Sequence, residues 1–305
     1  MKEIFRGSGV ALITPFKDGG LDEEALDRLL EFQLEQGTDA VVVLGTTGEP
    51  STMAEDEKVR VIKAAVSALK GKIPVLVGTG GNNTQKVIAD SLRAQELGAD
   101  ALLVVTPYYN KCTQNGLIAH YAALAEAVSL PIVVYNVPGR TGVNVLPATL
   151  EKLADLPNIA AVKEASGNID QICEVCRLLR GRMAVYSGDD GLTYPMIGLG
   201  ASGVISVTAN VIPAFMKDLC RAAFAGKAEA LTMHEKLLPF AKAMFCEVNP
   251  IPVKTLAAMM GLCSGELRLP LTPAEPASVQ KIREAAEHFF SGQTQNSPMA
   301  NFSRT

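Results

Sequence analysis

A regular beat of short β-rich apolar runs, most followed by a helix-length amphipathic stretch, constrains this chain more than any other feature. The runs fall at 10–16, 40–44, 74–78, 101–107, 132–137, 159–164, 183–187 and 203–207, with starts about 20 to 34 residues apart. Between them, apolar residues recur with helical period at 23–36, 55–69, 84–97 and 117–128. Alternation of strand and helix implies parallel strands, because each crossover must return the chain to the same end of the sheet. Eight such units favour a closed α/β barrel, a (β/α)8 TIM barrel, over an open doubly wound sheet. The open sheet would need fewer strands and an early G-x-G-x-x-G, which is missing.

The length of 305 residues would suggest two domains at about 150 residues each, but α/β barrels run to about 250 residues as one unit. Residues 1–225 are therefore expected to form the barrel and 226–290 a C-terminal helical extension. The polar, aperiodic tail 291–305 is read as disordered. Helices are expected at 213–225, 227–248, 252–261 and 273–290. Asp22 ahead of Glu23 and Glu24 reads as a helix cap, and Thr52, three residues before Glu55, resembles a capping box.

Hydrophobic residues make up 48% and charged residues 20%, which suits one large core, and the net charge of −4 argues against nucleic acid or an anionic membrane as main partner. No apolar run reaches the length of a membrane span or a signal peptide, so the cytoplasm is the expected location. Cys173 and Cys176 form a C-x-x-C within a helical pattern, without a second pair or a nearby His. They read as two helix-packed thiols rather than a redox or zinc site.

Barrel enzymes build their sites at the C-terminal ends of the strands. The residues there are Gly45-Thr46-Thr47-Gly48-Glu49 after the second run and Thr106-Pro107-Tyr108-Tyr109-Asn110 after the fourth. The fifth ends in Tyr135-Asn136-Val137-Pro138-Gly139-Arg140-Thr141, the sixth in Lys163-Glu164-Ala165-Ser166-Gly167 and the seventh in Ser187-Gly188-Asp189-Asp190. Lys163 is the sharpest of these. It interrupts a strand that reads as buried, and period two puts it on the face of Ile159 and Ala161, where small Ala161 leaves room. A buried ammonium loses proton affinity, and the free amine attacks carbonyls to give imines. The alternative is a strand-end lysine paired with Glu164 or solvated. Tyr135, ending the adjacent strand, tips the balance, since a phenol there could shuttle protons. Thr46 and Thr47 offer hydroxyls to a carboxylate, and Arg140, projected by the Pro138-Gly139 turn, suits a second one. Glu49, Asp189 and Asp190 read as solvated or capping carboxylates. His120, His234 and His288 are scattered, no metal motif or nucleophile elbow occurs, and Gly78-Thr79-Gly80-Gly81-Asn82 reads as a tight βα turn.

Together with Gly9-Val10-Ala11, Thr14-Pro15-Phe16 and Asn249-Pro250-Ile251-Pro252-Val253-Lys254, these motifs resemble the pyruvate-dependent class I aldolase group, which includes dihydrodipicolinate synthases and N-acetylneuraminate lyases. The resemblance spans roughly residues 4–290. It implies that Lys163 forms the imine with pyruvate and that Tyr135 donates and accepts protons. Thr46, Thr47 and Tyr109 of a partner subunit would extend the relay. Thr47 would hold the pyruvate carboxylate, and backbone groups at Gly188 and Ile205 would line the pocket. Arg140 looks like the synthase branch, where it receives the carboxylate of L-aspartate 4-semialdehyde; the lyase branch has no Arg there. The resemblance implies no cofactor beyond the covalent imine, no metal, and a homo-oligomer of at least a dimer, often a dimer of dimers. Other imine-forming 2-keto acid aldolases, and an inactive barrel used for binding, remain as alternatives.

One departure stands out. In many members of the group lysine inhibits at the dimer interface. At the positions that would contact it, this chain has Glu55 and Lys58 in place of His, and Lys86 in place of a carboxylate. Like charge should repel lysine, so feedback is expected to be weak or absent.

Overall fold

The computed structural model describes residues 3–291. Eight parallel strands close into a barrel: β1 Gly7–Ala11, β2 Ala40–Val43, β3 Val75–Gly78, β4 Ala101–Val105, β5 Ile132–Asn136, β6 Ile159–Glu164, β7 Ala184–Ser187 and β8 Gly203–Ser206, with β8 pairing back onto β1. Around them lie α1 Glu23–Glu35, α2 Glu55–Leu69, α3 Thr84–Glu96, α4 Gln114–Ala127, α5 Pro147–Leu153, α6 Ile169–Leu179, α7 Thr193–Gly198 and α8 Pro213–Phe224. Three further helices follow, α9 Glu229–Ala243, α10 Ile251–Met259 and α11 Pro276–Phe290. The expected disordered tail lies outside the described residues from 292 onward.

Strand alternation sorts the apolar residues into two cores. One fills the barrel, with Ala11, Val42, Leu76, Leu103, Val133 and Ala161 among its members, while the larger lies between strands and helices. Tyr186 plugs the N-terminal end of the barrel: its ring stacks on Phe5 at 4.3 Å, and its hydroxyl donates to the Phe5 carbonyl at 2.6 Å. At the seam, Gly203 sits at φ 143°, and a Cβ there would meet the Gly7 carbonyl oxygen at 1.9 Å, so only glycine allows β1 and β8 to approach.

Three local expectations are corrected. Lys163 and Ala161 do share the inner face, but Ile159 belongs to the outer core. The β5–β6 register shifts between Ile132 and Val133, so Ile132 pairs with Ile159 and Val133 with Ala161, which leaves Ala160 as an extra residue. A bulge of this kind reverses the alternation that an unbroken period of two would give. Thr52 does not cap α2. Its hydroxyl donates to the Glu49 carbonyl at 3.1 Å in a 3-10 turn, and Glu57 reaches back from the helix to accept from the Ala54 N–H at 2.9 Å. Of the C-x-x-C pair, Cys176 packs into the core while Cys173 is exposed on α6. Asp22 caps α1 as expected, accepting from the Ala25 N–H at 3.0 Å.

Candidate active site

Tyr135 and Lys163 are register partners on neighbouring strands, both directed into the barrel near its C-terminal rim. Their level in the barrel puts Lys163 Nζ 4.3 Å from the centroid of the Tyr135 ring. Lys163 is only 4% exposed, and burial lowers its pKa to about 8; Arg140 adds to the lowering, while the Asp190 carboxylate opposes it. Tyr135 is pushed up to about 12 by burial, against the field of Arg140 and a hydrogen bond with Thr46. The phenol therefore stays protonated at neutral pH, beside an amine that loses its proton easily.

The pairing of Lys163 with Glu164 is excluded by geometry. Glu164 points to the opposite face of β6, where it accepts from Asn136 Nδ2 at 3.0 Å and from the Ser166 N–H at 2.7 Å. Asn136 also ties down the segment that carries Arg140, accepting from the Val145 N–H at 2.9 Å. Gly188, at the end of β7, supplies the room that Lys163 needs: a Cβ there would stand 3.1 Å from Lys163 Cε.

A cavity of about 570 Å3 opens above these groups, and Thr46, Thr47, Tyr135, Arg140, Lys163 and Gly188 all line it. A second cavity, of about 510 Å3, shares Thr46, Tyr135 and Arg140 and runs outward past Tyr108, Glu55, Lys58 and Lys86. Ile205 lies within the barrel core on β8 rather than on the cavity wall, to which the rim beyond β8 contributes Val207. Tyr109 is 91% exposed, has a φ of 68°, and lines neither cavity.

Several supporting residues were not singled out from the sequence. Asn249 bridges two of the expected site residues: its Nδ2 donates to Thr47 Oγ1 at 2.9 Å, and its carbonyl accepts from Arg140 Nη2 at 3.2 Å. Thr47 accepts that bond, so its own O–H remains free to donate. Lys254 pairs with Glu49 at 2.7 Å, with side-chain exposures of 0% and 2%. That pair pins the left-handed residue directly after the Thr46-Thr47-Gly48 turn. The signal for both was the Asn249–Lys254 motif, whose role is invisible without the fold. Glu49 and Asp190 are thus buried rather than solvated. Asp190 Oδ2 accepts from the Val207 and Thr208 N–H groups at 3.1 and 3.0 Å, joining the β7 and β8 loops. Asp189 does act as a cap, accepting from the Gly191 N–H at 2.9 Å. Among the described residues no group of three or more His, Cys, Asp or Glu side chains could hold a metal ion, and no helix is long and apolar enough to cross a membrane.

Known proteins resemble the chain over nearly its whole length. Residues 4–289 match the Dihydrodipicolinate synthetase family. A 4-hydroxy-tetrahydrodipicolinate synthase of Geotalea uraniireducens is 53% identical, over 92% of this chain and 97% of its own. Among solved structures, dihydrodipicolinate synthase from Thermotoga maritima superposes with a TM-score of 0.93 at 47% identity, covering 94% of this chain and 99% of that one. The lysine-bound enzyme of Cyanidioschyzon merolae does so with a TM-score of 0.91 at 38% identity, covering 94% and 99%. By sequence and by fold, the chain belongs to the dihydrodipicolinate synthetase family.

Proposed function

We propose that the chain is a 4-hydroxy-tetrahydrodipicolinate synthase that condenses pyruvate with L-aspartate 4-semialdehyde through an imine on Lys163. The observation that carries this reading is the buried Lys163 amine beside the Tyr135 phenol, in a cavity whose wall includes Arg140. The neutral amine attacks the pyruvate C2 carbonyl, and water leaves as the imine forms. The protonated imine draws electrons from C3, which loses a proton and attacks the aldehyde carbon. Tyr135, linked to Thr46, is placed to carry the protons. Attack by the aldehyde partner's own amino group on C2 then closes the ring and releases Lys163. Thr47, with its free O–H, suits the pyruvate carboxylate; Arg140 suits that of the aldehyde. Neutral sugar-like aldehydes give Arg140 no such partner, which weighs against a neuraminate-lyase activity, and a barrel used only for binding would need neither Lys163 nor Tyr135.

Tyr109 fits a homo-oligomer, its exposed phenol serving a neighbouring copy rather than its own chain. Residues 226–290 then act as an extension that walls the cavity with α9 and braces the Thr46-Thr47 turn with α10.

The direct test is borohydride reduction with pyruvate alone, followed by peptide mass spectrometry. One reduced pyruvate on the Lys163 peptide, with turnover once aspartate semialdehyde is added, supports the reading. A folded protein without the adduct overturns it. The pH dependence is a second check. With a pKa of about 8, roughly a tenth of Lys163 is free amine at pH 7, against about three parts in ten thousand at the ordinary value. The rate of imine formation should therefore climb about tenfold per pH unit below 8 and level off above it. A flat profile between pH 6 and pH 8 would contradict this.

Lysine feedback should be weak. Glu55 pairs with Lys58 at 2.9 Å and with Lys86 at 3.5 Å, and Lys86 also reaches Asp90 at 3.0 Å. These carboxylates, which line the outer cavity with both lysines, already hold cations of the chain itself. Activity should persist at millimolar lysine, unlike the expectation for a relative that binds it; half-inhibition at submillimolar lysine would refute this.

A further inference from the structure

Leu238, Ala241, Lys242 and Phe245 of α9 and the turn after it line the reactive cavity. Their spacing of i, i+3, i+4 and i+7 places them on one helical face. That face is anchored over the β7 loop, where α9 packs on the 3-10 turn Asp190–Leu192 and Leu238 lies against Gly191. Three of the four side chains are apolar. Lys242 is exposed, and the residues three and four positions away, Leu238, Pro239, Phe245 and Cys246, offer it no carboxylate. Lys242 stands in the last turn of α9, on the face that lines the cavity.

The other cations that line the cavity are Arg140 and Lys163. Arg140 gives one terminal nitrogen to the Asn249 carbonyl and keeps the rest of its guanidinium for a ligand, whereas Lys163 is consumed by the imine. We propose that Lys242 is a specificity residue whose ammonium, together with Arg140, receives the carboxylate of the aldehyde substrate and selects anionic aldehydes over neutral ones. The proposal rests on the synthase reading above. A cation at the rim of a cleft also speeds capture of an anion, and that contribution fades with salt.

The test uses the full chain with Lys242→Gln and Lys242→Arg, assayed at low and high ionic strength with pyruvate and aspartate semialdehyde. Lys242→Gln should raise the KM for the aldehyde about five- to tenfold and flatten the salt dependence of kcat/KM. The KM for pyruvate and borohydride trapping should stay at the wild-type level, and Lys242→Arg should restore most of the loss. An aldehyde KM within about twofold of wild type, with the salt slope unchanged, overturns the role of Lys242 while the synthase reading stands. A parallel rise in both KM values with weaker trapping also overturns it, because the residue then acts only through structure. If wild-type protein fails to consume aspartate semialdehyde, the synthase reading falls and takes this proposal with it.

Discussion

Lys163→Ala is expected to abolish borohydride trapping of pyruvate and to lower kcat by about 10,000-fold or more, since it removes the buried amine beside Tyr135 on which the proposed imine forms. The fold should survive. Among the described residues Lys163 makes no ion pair, its amine is buried, and the strand around it is held by pairing to β5 and β7. Removing a desolvated amine also removes an electrostatic penalty, so the thermal midpoint should stay close to wild type despite the lost packing. The comparison needs both readouts, trapping by mass spectrometry and melting by circular dichroism. Near-normal turnover in the variant would place the chemistry elsewhere, whereas loss of trapping with loss of fold would leave Lys163→Met as the gentler replacement to measure.

The largest stability effect should come from the other buried lysine. Lys254→Met takes from the Glu49 carboxylate its ion-pair partner, in a site that is only 2% exposed on that side chain, and leaves it the Arg268 N–H at 3.4 Å and the weaker field of that guanidinium. Breaking a buried pair from one side costs about 3–5 kcal/mol, because the remaining charge is desolvated and poorly compensated. Lys254 Nζ also stands 4.2 Å over the Phe16 ring, with the Arg268 guanidinium 4.1 Å from the same ring, so the substitution disturbs a cation–π cluster as well. Urea denaturation at fixed protein concentration measures the loss. The double change Glu49→Leu with Lys254→Met should recover most of it, since paired apolar groups replace paired charges without an orphan. Activity should fall in the single variant too, because Glu49 follows directly on the turn that presents Thr46 and Thr47. A single variant as stable as wild type would mean that the pair contributes nothing.

Elements and their order were legible because they rest on local periodicity. Helix 55–69 falls where the pattern put it, and seven of the eight strands lie within two residues of the expected runs; the first, expected at 10–16, is Gly7–Ala11. The extension was read too generously: the stretch 227–248 contains a helix only over Glu229–Ala243. The Asn249–Lys254 run then turns inward to meet the site. Lys163 stood out for a similar local reason, since a lysine breaking an apolar strand is conspicuous whatever surrounds it.

The sequence by itself determined that parallel strands alternate with helices, that eight of them can close, and that polar groups gather at their C-terminal ends. Each of those statements depends on residues near one another in the chain. Only the tertiary structure decided which distant groups meet. Asn249 reaches Thr47 across 202 residues and Lys254 reaches Glu49 across 205, separations over which no periodicity carries information. The bulge at Ala160 likewise belongs to the pairing of β5 with β6 rather than to either strand, because register is a property of two chains of hydrogen bonds. Burial is the last of these. It takes the closed barrel around Lys163 to remove water from an ordinary amine and weaken its hold on a proton.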